Sequence, residues 1–206
     1  MAKRHHRQGA TEKVPVNETA RLGSLIARRI GELTNDDDAL THIGQLIDAA
    51  LDHGSSVGVA RAFELLEQLR SRTMSAVHEA TAHYFAANAW DAKRLQRNAA
   101  DPFAWEQPEV QSEILELRKA TRHAGFSELP CALRCRILTN LGNQLSFIGR
   151  CIEAAEVWHR AVSEDGRFGM ALGNLGVGLT AYARQLHDRG QGLAMVAAAQ
   201  IGRAHV

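Results

Sequence analysis

Aromatic side chains are scarce in this sequence, at 5%, and proline appears only 4 times in 206 residues. With Ala and Leu abundant, those shortages favour helix over strand. Cysteine is rarer still, an odd set of three at Cys131, Cys135 and Cys151, which fits a reducing compartment better than a disulfide framework. The longest apolar run near the end, LAMVAAA from Leu193, falls far short of the roughly 20 residues that a membrane-spanning helix needs. The first sixteen residues contain no apolar segment of the kind a secretory signal requires. A charge excess of one sign is missing too. The formal net charge is +1, so whole-molecule electrostatics point neither to nucleic acid nor to a membrane surface as partner. The basic opening MAKRHHRQG is local and reads as a frayed tail. A cytoplasmic protein is the expectation.

What is present is helical periodicity. NETARLGSLIARRIGEL sets Leu22, Leu25, Ile26, Ile30 and Leu33 at three- and four-residue steps, with Asn17 as N-cap. TNDDD interrupts the pattern and supplies acids to the start of the next helix, ALTHIGQLIDAALDHG, which Gly54 closes. VGVARAFELLEQL is a third helix, and a fourth runs from about Ser75 through AVHEATAHYFAANAWDAKRLQ. Pro102 and Pro108 fence a loop, after which Val110, Ile114 and Leu117 resume helical spacing. CALRCRILTNLGNQLSFIG, CIEAAEVWHRAVSEDG and RFGMALGNLGVGLTAYARQL complete the series. No window alternates with period two, so the expected fold class is all-α.

NLGNQLSFIG from Asn140 and NLGVGLTAYA from Asn174 say nearly the same thing, 34 residues apart. A period of that length is a repeat signal. Cys135–Phe168 resembles a tetratricopeptide repeat (TPR): Leu138, Leu141, Gly142 and Leu145 fall on the signature places of the first helix. Ala154, Trp158 and Ala161 fall on those of the second. Gly142 and Ala154 are small where two antiparallel helices touch, and the leucines and Trp158 fill the seam. Gly149 permits the tight turn between the helices, and Gly166 ends the second one. The family usually has Pro near Gly166 and Tyr where Leu145 stands. Leu172, Leu175, Gly176 and Leu179 continue the pattern in a following unit, and YFAANAW resembles NLGNQL upstream when Asn88 is matched with Asn143. The longer spacing there implies an insertion at the proline-fenced loop. The resemblance implies stacked antiparallel helical hairpins, a right-handed α-solenoid.

These patterns divide the chain into a basic tail (1–16) and a degenerate helical-repeat region (17–125) with a loop at 97–108. TPR-like repeats over 126–199 follow, the best at 135–168, and then a terminal segment, 200–206. That segment's IGRAHV can be written in codons similar to the read-through of a sequencing-library adapter. The expectation is that the natural coding sequence runs off near Ala199 and that the chain is part of a longer protein. The apolar GLAMVAAAQ before it lacks the polar outer face of a terminal repeat, so something should pack there.

Several constellations carry no chemistry. HEATAH at His78–His83 spaces its histidines five apart rather than the four that would share a helix face. Cys131 and Cys135 have no second ligand pair beyond Cys151 or His159. Arg118 and His123 have the R-x4-H spacing of HEPN ribonucleases, on what reads as a solvated helix face. No glycine-rich phosphate loop follows a strand. The chain is therefore expected to be no enzyme, with neither cofactor nor metal.

The resemblance implies a binding groove instead, lined by the first helix of each hairpin. The corresponding residues are Arg136, Thr139, Asn143, Ser146 and Phe147 in the best repeat. Tyr84, Asn88 and Asp91 occupy those places upstream, and Met170 and Thr180 downstream. Asn143 and Asn174 have the 31-residue spacing of two asparagines in the family's peptide-carboxylate clamp, although Thr139 stands where its lysine belongs. The implied function is a protein- or peptide-binding scaffold. One alternative is the sensor half of a longer bacterial protein whose HEPN-type ribonuclease domain lies downstream, since the phrasing is similar to bacterial proteins of that architecture. The other is a structural helical domain that dimerises through its C-terminal hairpin.

Overall fold

The computed structural model describes residues 35–97, 106–186, 190–194 and 196–197. The helix expected over 17–33, the basic tail, most of the 97–108 loop and the segment 200–206 lie outside the described residues. Among the described residues, seven α-helices are numbered in chain order. They are α1 (Asp36–Asp52), α2 (Ser56–Arg70), α3 (Ala76–Arg97), α4 (Pro108–Arg122), α5 (Cys131–Phe147), α6 (Cys151–Glu164) and α7 (Gly169–Ala183). A 3-10 turn, Ala124–Glu128, joins α4 to α5, and residues 190–194 are again helical. Among the described residues there is no strand, and no helix is long and apolar enough to cross a membrane.

Local chemistry starts each helix. Asn35 caps α1 by accepting the Asp37 N–H on its side-chain oxygen at 3.0 Å, and Asp36, Asp37 and Asp38 place negative charge at the helix N-terminus. Ser55 caps α2 through the Gly58 N–H at 3.1 Å. Pro108 opens α4, where its missing N–H has no helical partner to lose.

Two of the connections are the same motif. Gly54 (φ +62°) and Gly149 (φ +82°) adopt the left-handed conformation. In each case the following N–H reaches back to the helix: Ser55 N to Ala50 O and Arg150 N to Leu145 O, both 2.8 Å. The glycine N–H then bonds Leu51 O at 3.2 Å or Ser146 O at 3.0 Å. Both turns are thus Schellman closures of a helix by glycine. Each sends the chain back along the helix it has left, giving the hairpins α1/α2 and α5/α6. Gly149→Ala is expected to lose about 1–2 kcal/mol to the left-handed backbone, measured by urea titration, with the helix content of the folded protein unchanged.

Each helix packs on its neighbours in the chain, and α1 also meets α3 as α5 meets α7. Two hydrophobic cores result. The first joins α1, α2 and α3 through Ile43, Leu46, Leu65, Leu66 and Leu69. The second joins α3 to α7 around Val110, Leu117, Ile137, Leu138, Leu145 and Trp158. The long helix α3 belongs to both: Ala82, Ala86, Ala89 and Ala92 face the first core, Ala80 and Ala87 the second. Side chains of one carbon on opposite faces let α3 sit close to both sets of partners, which is where the alanine-rich, aromatic-poor composition goes.

Candidate functional site

The site is built on Trp158. Leu138, Leu141 and Leu145 turn one face of α5 into the core, and Gly142 in the same stripe leaves room for the indole of Trp158 from α6. A Cβ on Gly142 would collide with the pyrrole edge of that ring, and a Cβ on Gly178 of α7 would lie 2.5 Å from its Cζ3. The ring is therefore held between two bare backbones. Ala154 and Ala161 are buried in the same core and Leu175 is half-buried against it, while Leu172 and Gly176 are buried on α7.

An open cleft of about 310 Å³ lies over the indole, lined by Asn143, Ser146, Phe147, Trp158, Asn174 and Val177. Its polar edge has a determined orientation. The indole Nε1–H can only donate, and it donates to Asn143 Oδ1 at 3.0 Å and to the Thr139 carbonyl at 3.3 Å. Asn143 Oδ1 also accepts Asn174 Nδ2–H at 2.8 Å. Both carboxamides are thereby fixed, and the two side-chain N–H groups of Asn143, the second N–H of Asn174 and the Asn174 side-chain carbonyl remain for a ligand at this edge of the cleft. Phe147 (45% exposed) and Val177 (59% exposed) form apolar walls. The cleft thus offers donors, an acceptor, the Ser146 hydroxyl and two hydrophobic faces.

Four of the groove residues expected from the sequence, Asn143, Ser146, Phe147 and Asn174, come together here. Thr139 does not: it is 1% exposed, and the expectation that it lines an open groove is corrected. Its side chain is turned into the protein, leaving only its carbonyl to serve the Trp158 ring. Arg136 is exposed on α5 but outside the cleft. Tyr84 and Asn88 are half-buried on α3, with Tyr84 packed against the second core. Met170 is exposed at the start of α7, and the Thr180 hydroxyl donates to Gly176 O at 2.7 Å. Trp158 as the cleft floor and Val177 as a wall were not anticipated. The i, i+3 step from Asn174 to Val177 on one helix face is the signal that could have supplied the second.

A stripe of charge borders the site. Glu109, Glu113 and Glu116 stand at i, i+4 and i+7 on α4 and are all buried. Glu109 binds Arg97 Nη1 at 3.0 Å, with Lys93 at 3.8 Å. Glu116 holds His83 at 2.7 Å, Lys119 at 2.7 Å and Arg70 at 2.8 Å. Burial works to raise the Glu116 carboxyl, but hydrogen bonds from His83, Lys119 and Arg70 outweigh it and bring the pKa down to about 2. Glu113 differs. Burial first and the Asp91 carboxylate second push it up to about 9, against the opposing pull of Arg94 and a hydrogen bond with Gln144.

The constellations set aside at the sequence level are engaged elsewhere. His78 meets Asp37 at 2.9 Å while His83 meets Glu116, and Arg118 pairs with Glu153 at 3.1 Å while His123 pairs with Glu79 at 2.8 Å. Cys135 is buried with Sγ 3.5 Å from Ala161 O, and burial first, then the neighbouring Cys131, push its thiol up to about 11. Among the described residues no three His, Cys, Asp or Glu side chains are grouped as metal ligands. A scan against protein-family models finds no match for the chain, and a search of curated proteins finds none of significance.

Proposed function

We propose that the chain is a non-catalytic scaffold that binds an extended peptide or protein segment, built as a TPR-like stack of helical hairpins. The observation that carries this reading is the cleft over Trp158. It sets two fixed carboxamides, which match the N–H and C=O of a peptide main chain, beside the exposed faces of Phe147 and Val177. The equivalent glycine closures of α1 and α5 support a hairpin as the repeating unit.

The test is selection of a displayed random peptide library on the whole chain, followed by affinity measurement on a Phe147→Ala/Val177→Asp variant. Enriched peptides should bind the parent and lose at least tenfold in affinity on the variant, whose circular dichroism stays unchanged. No enrichment, or equal binding to both proteins, overturns the reading. Should the apolar walls instead serve self-association, light scattering will show a concentration-dependent mass that the same variant abolishes.

A further inference from the structure

The two cysteines at the start of α5 share a helix face and an environment. Cys131 is the first residue of the helix and is exposed, while Cys135, one turn on, is fully buried. Residues four apart lie above one another on a helix. Both thiols are turned to the end of α6. Cys131 Sγ donates to Glu164 O at 3.4 Å and Cys135 Sγ to Ala161 O at 3.5 Å, carbonyls three residues apart on that helix. The sulfurs are neighbours: burial first, then the Cys131 charge and a hydrogen bond with it, raise the Cys135 thiol. The third cysteine, Cys151, opens α6 at the opposite end of the hairpin. With α5 seventeen residues long, that end lies roughly 25 Å away at about 1.5 Å per residue, far beyond disulfide reach.

We propose that Cys131 and Cys135 form a modification site for hydrogen peroxide, with Cys131 as the thiol oxidised and Cys135 as the thiol that resolves it. The exposed Cys131 sulfur attacks one oxygen of the peroxide. The O–O bond breaks, water leaves and a sulfenic acid remains on Cys131. The Cys135 sulfur then displaces the hydroxyl. The S–S bond forms, the S–O bond breaks, and the Cys135 thiol proton leaves with the hydroxyl as a second water. Two thiols are thereby oxidised to one disulfide, and one peroxide is reduced to two waters. Burial keeps Cys135 from meeting peroxide itself, and the helix holds it beside the sulfur it must attack. Its raised thiol makes the second step the slower, so the sulfenic acid precedes the bridge. On a regular helix Cα atoms four residues apart are separated by about 6 Å, within the roughly 4.4–6.8 Å that disulfides span. The Cβ atoms, about 5–6 Å apart, must close to about 4 Å. Closure therefore draws in the first turn of α5 and removes both S–H donors from the α6 carbonyls. A bridge closed against that resistance is readily reduced, which makes the modification reversible.

The experiment exposes the whole reduced chain to hydrogen peroxide, blocks remaining thiols with iodoacetamide and maps tryptic peptides by mass without reductant. Arg134 lies between the two cysteines, so trypsin separates them unless a bridge holds their peptides together. The expected product is that linked pair, lighter by two hydrogens than the two free peptides summed. Cys151 should remain alkylated, and dithiothreitol should remove the bridge. In Cys135→Ser, Cys131 stops at a sulfenic acid that dimedone traps. In Cys131→Ser, Cys135 is oxidised at least tenfold more slowly than in the parent. Circular dichroism checks both variants, and Cys135→Ala takes the place of Cys135→Ser if the buried hydroxyl unfolds the chain. Further oxidation of Cys131 to sulfinic acid while Cys135 stays alkylated overturns the resolving role. An unreacted Cys131, bridges between molecules through it, or Cys135 oxidised as fast without it overturns the pair altogether.

Discussion

Replacing Glu113 with glutamine is expected to stabilise the protein by about 3 kcal/mol at pH 7, an increment that corresponds to roughly 6–12 °C in Tm for a chain of this size. The folded carboxyl titrates near 9 and an unfolded one near 4.5. Between those values the folded chain binds a proton that the unfolded chain has released, so stability falls as pH rises. The contribution of Glu113 is intact below pH 4.5 and is lost progressively on the way to pH 9. At neutrality about two and a half units of that interval have been crossed, at about 1.4 kcal/mol each. Glutamine keeps the shape and the hydrogen-bonding atoms and carries no titration. The two proteins should therefore unfold alike near pH 4.5 and diverge steadily through pH 8. Thermal unfolding followed by circular dichroism across that range decides it. A gap that stays constant with pH, or a less stable glutamine variant, would show that the buried carboxyl is ionised.

Trp158→Ala should be the most damaging single change in the second core, at about 3–5 kcal/mol in urea unfolding, the range for large-to-small changes at fully packed aromatic sites. Two glycines face this ring, so no neighbouring side chain can swing in to fill the space it leaves. Trp158→Phe separates packing from hydrogen bonding. It keeps an aromatic ring against Gly142 and Gly178 but removes the Nε1–H that orients Asn143, for a loss nearer 1 kcal/mol. In that variant Asn143 Oδ1 loses one of the two donors that orient it, and peptide binding should weaken more than stability does. Equal stability of Trp158→Ala and the parent would mean the ring is not part of the core.

Helix positions were the most legible part of the sequence, because three- and four-residue spacing reflects burial directly. The repeated phrase placed Leu138, Leu141, Gly142 and Trp158 in one hairpin, and those residues are buried together. Side-chain direction at the groove was harder to read. Thr139 occupies a nominal lining position yet is turned inward, and no local pattern distinguishes it from Asn143 one turn later. The orientation of the Asn143 carboxamide depends on an indole from the next helix and an amide 31 residues away, which sequence order does not bring together. The glutamate stripe of α4 was invisible for a related reason. Glu109, Glu113 and Glu116 have the composition of a solvated face, and only the approach of α3 buries them.

The alanines of α3 have a consequence for how the two halves of the molecule communicate. Buried alanines on opposite faces, with Phe85 packed against the first core and Tyr84 against the second, leave this helix little room to shift. Displacing it to relieve crowding among α1 and α2 presses it into α4 and the turn that follows. A larger residue at Ala86, in the first core, is accordingly expected to disturb the second core as well. Strain entering the first core is expected to reach the second through this shared helix, as load passes along a beam bolted between two walls.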